Sequence, residues 1–138
     1  MKTAAIIAEY NPFHNGHKYQ LEETKRQTGA DFIVVVMSGD FVQRGIPAIY
    51  SKTFRTRSAL LSGADLVIEM PIFGTLSAAQ DFARCGVSLF HHMGMIDILS
   101  FGSESGNIEE LWQLADHSAL ETNEQSALIR EGLRSGLT

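Results

Sequence analysis

Apolar residues in this chain come in short unbroken runs, separated by stretches of helical spacing. Thr3 to Tyr10 is rich in Ala and Ile and reads as a strand buried on both faces. Asn11-Pro12-Phe13 then turns, and His17 to Gln27 has helical spacing with Gly29 as its C-cap. Phe32 to Met37 is a second buried strand, broken by Ser38-Gly39-Asp40. A loop over Asp40 to Tyr50 leads to a helix from Ser51, its N-cap, to Ser62, stopped by Gly63. Asp65 to Met70 is a third strand, ended by Pro71. Thr75 or Ser77 is expected to cap a helix running to about His92, and Ile96 to Phe101 is a fourth strand. Gly106 or Asn107 opens a further helix with Leu111, Trp112 and Leu114 on one face, where Trp112 reads as core.

Strand and helix thus alternate four times. Crossovers of this kind build a parallel sheet covered on both faces, an α/β fold. Such sheets bind ligands at the carboxyl ends of their strands. Three loops belong there: Asn11 to His17, Ser38 to Tyr50 and Gly102 to Gly106. Residues 1–115 form the expected domain, without internal repeat, linker or low-complexity tract. Residues 116–138 read as a helical extension, with Leu128, Ile129 and Leu133 on one face of a helix over Leu120 to Leu133. The absence of a closing strand or cap suggests a piece of a longer protein.

Composition narrows the class. A length of 138 residues suits one domain with a real core. The net charge of −5 argues against a whole-domain grip on nucleic acid, though Lys52, Arg55 and Arg57 offer a local basic patch. Cys85 is the single cysteine, which excludes an internal disulfide and a multi-cysteine zinc site; a packed thiol is expected. No apolar run approaches the roughly 18–20 residues of a membrane span, and the N-terminus has no signal-peptide pattern. A cytoplasmic protein is expected.

The chemistry concentrates in His14-Asn15-Gly16-His17, placed where a buried strand gives way to a helix. A helix starting near Gly16 aims free N–H groups and the positive end of its dipole at an anion. Gly16 allows close backbone approach. Two imidazoles there donate hydrogen bonds to phosphate oxygens as charge builds at an α-phosphorus, which is catalysis by positioning and charge stabilisation. The competing readings are two histidines without a ligand role, or a metal site, which lacks a third ligand nearby.

His14-Asn15-Gly16-His17 resembles the H-x-G-H signature of the nucleotidylyltransferase superfamily. Four blocks in order are similar to the bacterial tRNA(Met) cytidine acetate ligase family. They are Ala8 to His17, Met37 to Gly45, Gly63 to Pro71 and Ser100 to Glu104. The resemblance implies a Rossmann-like, doubly wound nucleotidylyltransferase domain of the HUP type. It implies activation of acetate by ATP to acetyl-adenylate, then acetylation of N4 of the wobble cytidine of elongator tRNA(Met). It also implies that His14 and His17 are catalytic. The implied ATP site comprises Ile7, Ala8, Glu9, Tyr10, Asn11, Pro12, Phe13, His14, Asn15, Gly16, His17, Lys18, Tyr19, Gln20 and Gly102. Asp40 stands where the family often has Asn. The superfamily's second phosphate motif, Ile-Ser-Ser-Thr-x-x-Arg, has no match here and is expected beyond Thr138.

The remaining candidates keep two readings each. Ser38, Gln43 and Arg44 lie on a loop at the active end, where they meet acetate or tRNA or are simply solvated. Lys52, Arg55 and Arg57 form a solvated helix face or a contact for the tRNA backbone. Glu69 reaches ribose or orders its loop. Phe101-Gly102-Ser103-Glu104 suits a backbone platform for adenine. Mg2+ is expected to bridge the phosphates, since an acidic chain supplies little countercharge. The rivals are a small-molecule adenylyltransferase of cofactor biosynthesis and a non-catalytic nucleotide- or RNA-binding module.

Overall fold

The computed structural model describes residues 1–103 and 105–119. The elements run β1 (Thr3–Ala8), α1 (Asn15–Thr28), β2 (Phe32–Met37), α2 (Lys52–Leu61), β3 (Leu66–Glu69), α3 (Ile72–Thr75), α4 (Ala79–Met93), β4 (Ile98–Leu99) and α5 (Ile108–Ala119). The chain divides into two compact units, Met1–Gly102 and a second that begins at Ser103. The helix expected over Leu120 to Leu133 falls outside the described residues, as does Glu104. No helix among the described residues is long and apolar enough to cross a membrane.

The four strands are parallel in the order β3-β2-β1-β4. Right-handed crossovers dictate the rest. The chain steps β1 to β2 to β3 in one direction, so α1 and α2 share a face. It then returns past β1 to β4, so α4 must cover the opposite face. Strand alternation follows. Ile6, Ile33, Val35 and Met37 pack with Leu21 of α1 and Ala59 of α2. Ala5, Val34 and Val36 pack with Phe90 of α4, joined by Ile7, Phe82 and Leu89. The result is a Rossmann-like, doubly wound α/β domain.

Three aspartates fasten the amino-terminal edge of this sheet. Asp31, Asp65 and Asp97 each precede a strand, and each Oδ2 accepts the amide of a neighbouring strand's start. The amides are Lys2 at 2.7 Å, Ile33 at 2.8 Å and Thr3 at 2.8 Å. The carboxyl edge carries the long loops.

Several sequence-based boundaries change, and α1 begins at Asn15 rather than at the expected His17. The helix expected from Thr75 or Ser77 is two: α3, then α4, whose N-cap is Ala78 without a side-chain cap bond. The Ser77 hydroxyl instead donates back to Gly74 O at 2.6 Å, closing α3. Strand β4 holds only Ile98–Leu99 of the expected Ile96 to Phe101. Among the described residues it pairs on one side only, with β1, so few bonds define it. Strand β1 stops at Ala8 because Tyr10 adopts φ 50°, incompatible with a strand.

The second unit's described helix, α5, is capped as expected by Asn107. Its Oδ1 accepts the Glu109 amide at 3.1 Å and the Glu110 amide at 3.4 Å. The sequence reading places Trp112 in a core; among the described residues it is 64% exposed.

Candidate active site

The order β2-β1-β4 makes the carboxyl end of the β1–β4 pair the switch point of this sheet, the position at which sheets of this class bind ligands. Residues following β1 and β4 therefore meet there. After β1 the chain turns sharply at Tyr10, whose side chain is buried, and passes a cis Asn11–Pro12 bond. It reaches His14 in extended conformation, the N-cap of α1.

His14 and His17 cap α1 reciprocally. The Gly16 amide donates to Nδ1 of His14 at 3.1 Å, and the His14 amide donates to Nδ1 of His17 at 3.2 Å. The rings stack with centroids 3.7 Å apart at 22°. An Nδ1 that accepts an amide proton carries none of its own, so each neutral ring holds its proton on Nε2. Two neighbouring Nε2–H donors result. His17 is held below the ordinary histidine pKa, first by burial and then by the adjacent His14. Its ring rests against Tyr10 at 4.8 Å and Phe13 at 5.6 Å.

Gly16 leaves room for this stack. A Cβ there would lie 3.0 Å from Cε1 and 3.1 Å from Nδ1 of His14. The first turn of α1 contains no acidic residue, so nothing on the helix offsets its positive end. The site is thus suited to an anion approaching a helix start.

The other expected ATP contacts take varied positions. Ile7 packs into the face covered by α4, and Ala8 into the opposite one. Asn15, Lys18 and Tyr19 are exposed on the first turns of α1; Pro12 and Gln20 are half-buried. Lys18 faces Glu22 at 3.7 Å. Gly102 follows β4, and a Cβ there would meet nothing within 4 Å, so the backbone is open to approach. Ser100, two residues earlier, is tied to α1 by a 2.7 Å bond between its hydroxyl and that of Thr24.

The loop after β2 is fastened by side chains whose roles the sequence did not reveal. Oε1 of Glu9 accepts the Gln43 amide at 2.6 Å, and Oδ1 of Asn11 accepts the Ile49 amide at 2.7 Å. Oδ1 of Asp40 accepts the Lys52 amide at 2.8 Å, which makes Asp40 a second cap of α2 beside Ser51. Only the acceptor chemistry of such residues near a helix start hinted at this.

Gln43 and Arg44 lie in a single 3-10 turn, Gln43–Gly45. The Ser38 side chain is fully buried, and its hydroxyl has no partner among the described residues. Nζ of Lys52 bonds both oxygens of Glu69 at 2.9 and 2.7 Å, joining α2 to the end of β3.

Arg55 overturns its expected place on a solvated or tRNA-facing surface. It is fully buried, and among the described residues its guanidinium donates only to backbone carbonyls. The physical reason is that the chain just beyond β1 and β2 and just before α2 leaves carbonyls without partners, and one guanidinium fork reaches four of them.

A model of the HIGH Nucleotidyl Transferase family matches residues 1–138. The chain is 46% identical over 138 residues to the tRNA(Met) cytidine acetate ligase of Acetivibrio thermocellus, covering 100% of this chain and 33% of that protein. It is 47% identical over 136 residues to the ligase of the same name in Caldicellulosiruptor saccharolyticus, covering 99% of this chain and 34% of the relative. Among solved structures, Thermotoga maritima TmcAL bound with alpha-thio ATP matches with a TM-score of 0.86 at 37% identity, covering 100% of this chain and 33% of that one. The apo form matches with a TM-score of 0.85 at 38% identity, covering 99% and 32%. The chain therefore spans about a third of the length of these relatives. With a family match along its whole length and the paired imidazoles of that family's motif at the head of its sheet, the chain belongs to the HIGH nucleotidyl transferase family.

Proposed function

We propose that this chain is the ATP-handling part of a ligase that activates acetate and acetylates N4 of the wobble cytidine of elongator tRNA(Met), acting in the cytoplasm. In the first step a carboxylate oxygen of acetate attacks the α-phosphorus of ATP, and pyrophosphate leaves. Acetyl-adenylate results. In the second, the cytidine amine attacks the acetyl carbon, a proton is lost, and AMP leaves.

The observation that carries this reading is the stacked pair of Nε2–H donors at the start of α1. Both rings donate while neutral, so they stabilise growing phosphate charge without first taking up a proton. The backbone around Gly16 and Gly102 receives the nucleotide. Gln43, Arg44 and Lys52, on the rim of the same edge, are assigned to acetate and tRNA. Mg2+, brought by the nucleotide, would supply countercharge that this acidic chain does not. The names of the relatives and the ATP analogue in the Thermotoga maritima structure support the assignment of substrates.

The test is incubation of the protein carrying this chain with ATP, Mg2+, labelled acetate and total tRNA. Label entering tRNA, with AMP and pyrophosphate released, is the expected result. Pyrophosphate released only when a small metabolite is added would identify a cofactor adenylyltransferase instead. ATP binding without pyrophosphate would identify a non-catalytic module.

A further inference from the structure

Arg55 is the largest fully buried side chain among the described residues. Its Nε donates to Tyr50 O at 3.0 Å, and its Nη1 to Glu9 O at 2.6 Å and Ser38 O at 3.1 Å. Its Nη2 donates to Gly39 O. These carbonyls lie just beyond β1, just beyond β2 and just before α2. Among the described residues no carboxylate forms an ion pair with this guanidinium. Burial pulls its pKa down, opposed by the charges of Asp40, Glu9 and Glu69.

Burying a charge without an ion pair is an expensive way to fill space; an apolar side chain of similar volume serves as well or better. What an apolar side chain cannot do is orient backbone. The Glu9 carbonyl shares its peptide plane with the Tyr10 nitrogen, and Tyr10 holds φ 50°, a left-handed conformation unusual for a bulky residue. That peptide plane is where the chain leaves β1 and starts toward His14. The bond from Asn11 Oδ1 to the Ile49 amide fastens the same turn to the segment that Arg55 grips through Tyr50.

We infer that Arg55 is a positioning residue for the phosphate site: by orienting the Glu9–Tyr10 peptide and drawing Ser38 and Gly39 onto the same anchor, it sets where His14 and His17 stand. The inference rests on the reading of those imidazoles as phosphate donors. Lysine does not substitute, because a single ammonium lacks the planar fork that spans four carbonyls.

The experiment compares the complete protein with its Arg55→Lys variant in three measurements: thermal melting, imidazole 15N NMR without nucleotide, and steady-state pyrophosphate release. Loss of the single Nε2–H form at His14 and His17, with KM for ATP raised at least tenfold and kcat changed less, is the expected result. A lowered melting temperature with unchanged imidazole spectra and unchanged KM would show that Arg55 only supports the fold, and would overturn the inference. Should Arg55→Lys fail to fold, the unmodified protein still decides. Its Arg55 guanidinium 15N signals must shift when ATP is added, and unshifted signals overturn the inference. An unmodified protein that binds no ATP would remove the phosphate reading instead, leaving the imidazole spectra of the variant to judge positioning alone.

Discussion

Replacing His17 by Asn separates two jobs of one side chain. The Asn Oδ1 takes nearly the place of the imidazole Nδ1, so it still accepts the His14 amide that His17 holds at 3.2 Å. Nothing replaces the Nε2–H. The stack on His14 at 3.7 Å and the ring contacts with Tyr10 at 4.8 Å and Phe13 at 5.6 Å are lost. Each of these three aromatic contacts is worth about 0.5–1.5 kcal/mol, and His and Asn have similar helix propensity, so stability should fall by about 1.5–4.5 kcal/mol. Urea unfolding measures this directly. A domain typically holds about 5–15 kcal/mol, so most of the variant remains folded at 25 °C. Removal of one preorganised donor from a charged transition state lowers the rate about 10²–10³-fold, equivalent to about 2.7–4 kcal/mol. Acetate-dependent exchange of labelled pyrophosphate into ATP, measured on the complete protein, reads that loss. The chemical defect should therefore exceed anything the folding defect can explain. Exchange within threefold of the unmodified protein, alongside the expected loss of stability, would refute the donor role.

Three further outcomes are expected of the same fold. His17 lies below its ordinary pKa of 6.5 because burial and His14 disfavour the charged ring. The unfolded chain thus binds the extra proton more readily, so this contribution is complete above pH 6.5 and is lost as pH falls through the folded pKa; urea midpoints should decline toward pH 5, and less so in His17→Asn. A Cβ at Gly86 would sit 2.5 Å from Cδ1 of Ile7, so Gly86→Ala should destabilise by about 1–3 kcal/mol through overpacking, and adding Ile7→Val should recover part of it in a double-mutant cycle. The pair between Lys52 and Glu69, 2.7 Å apart, is exposed on both sides, so Glu69→Gln should cost no more than about 1 kcal/mol, with the difference vanishing in high salt on chemical unfolding.

Legibility in the sequence tracked how local each signal was. The bounds of β2, the Gly29 cap with φ 64° and the Ser51 cap all matched, because an apolar run, a left-handed glycine and a hydroxyl before a helix act within a few residues. Ser77 looked like a cap and was not, since its hydroxyl had a nearer acceptor in Gly74. Trp112 sat at core spacing yet is exposed, because spacing describes a face without naming what covers it. Arg55 misled most. A helical arginine between Lys52 and Arg57 reads as solvated, and the carbonyls that bury it come from Glu9, Ser38 and Gly39, far away in sequence.

By itself, the sequence determined the alternation of strands and helices and placed two histidines at the first strand-to-helix turn. Periodicity, capping and turn chemistry are properties of neighbouring residues, so they can be read without a fold. Only the tertiary structure decided the order β3-β2-β1-β4, and with it the switch point beside β1, the position at which sheets of this class bind ligands. Only it decided that both imidazoles keep their protons on Nε2, and that Arg55 holds backbone rather than meeting a ligand. Those outcomes depend on which strand ends come together and which polar groups they leave unsatisfied. That balance is struck between residues remote in the chain, and it exists only once the sheet has closed.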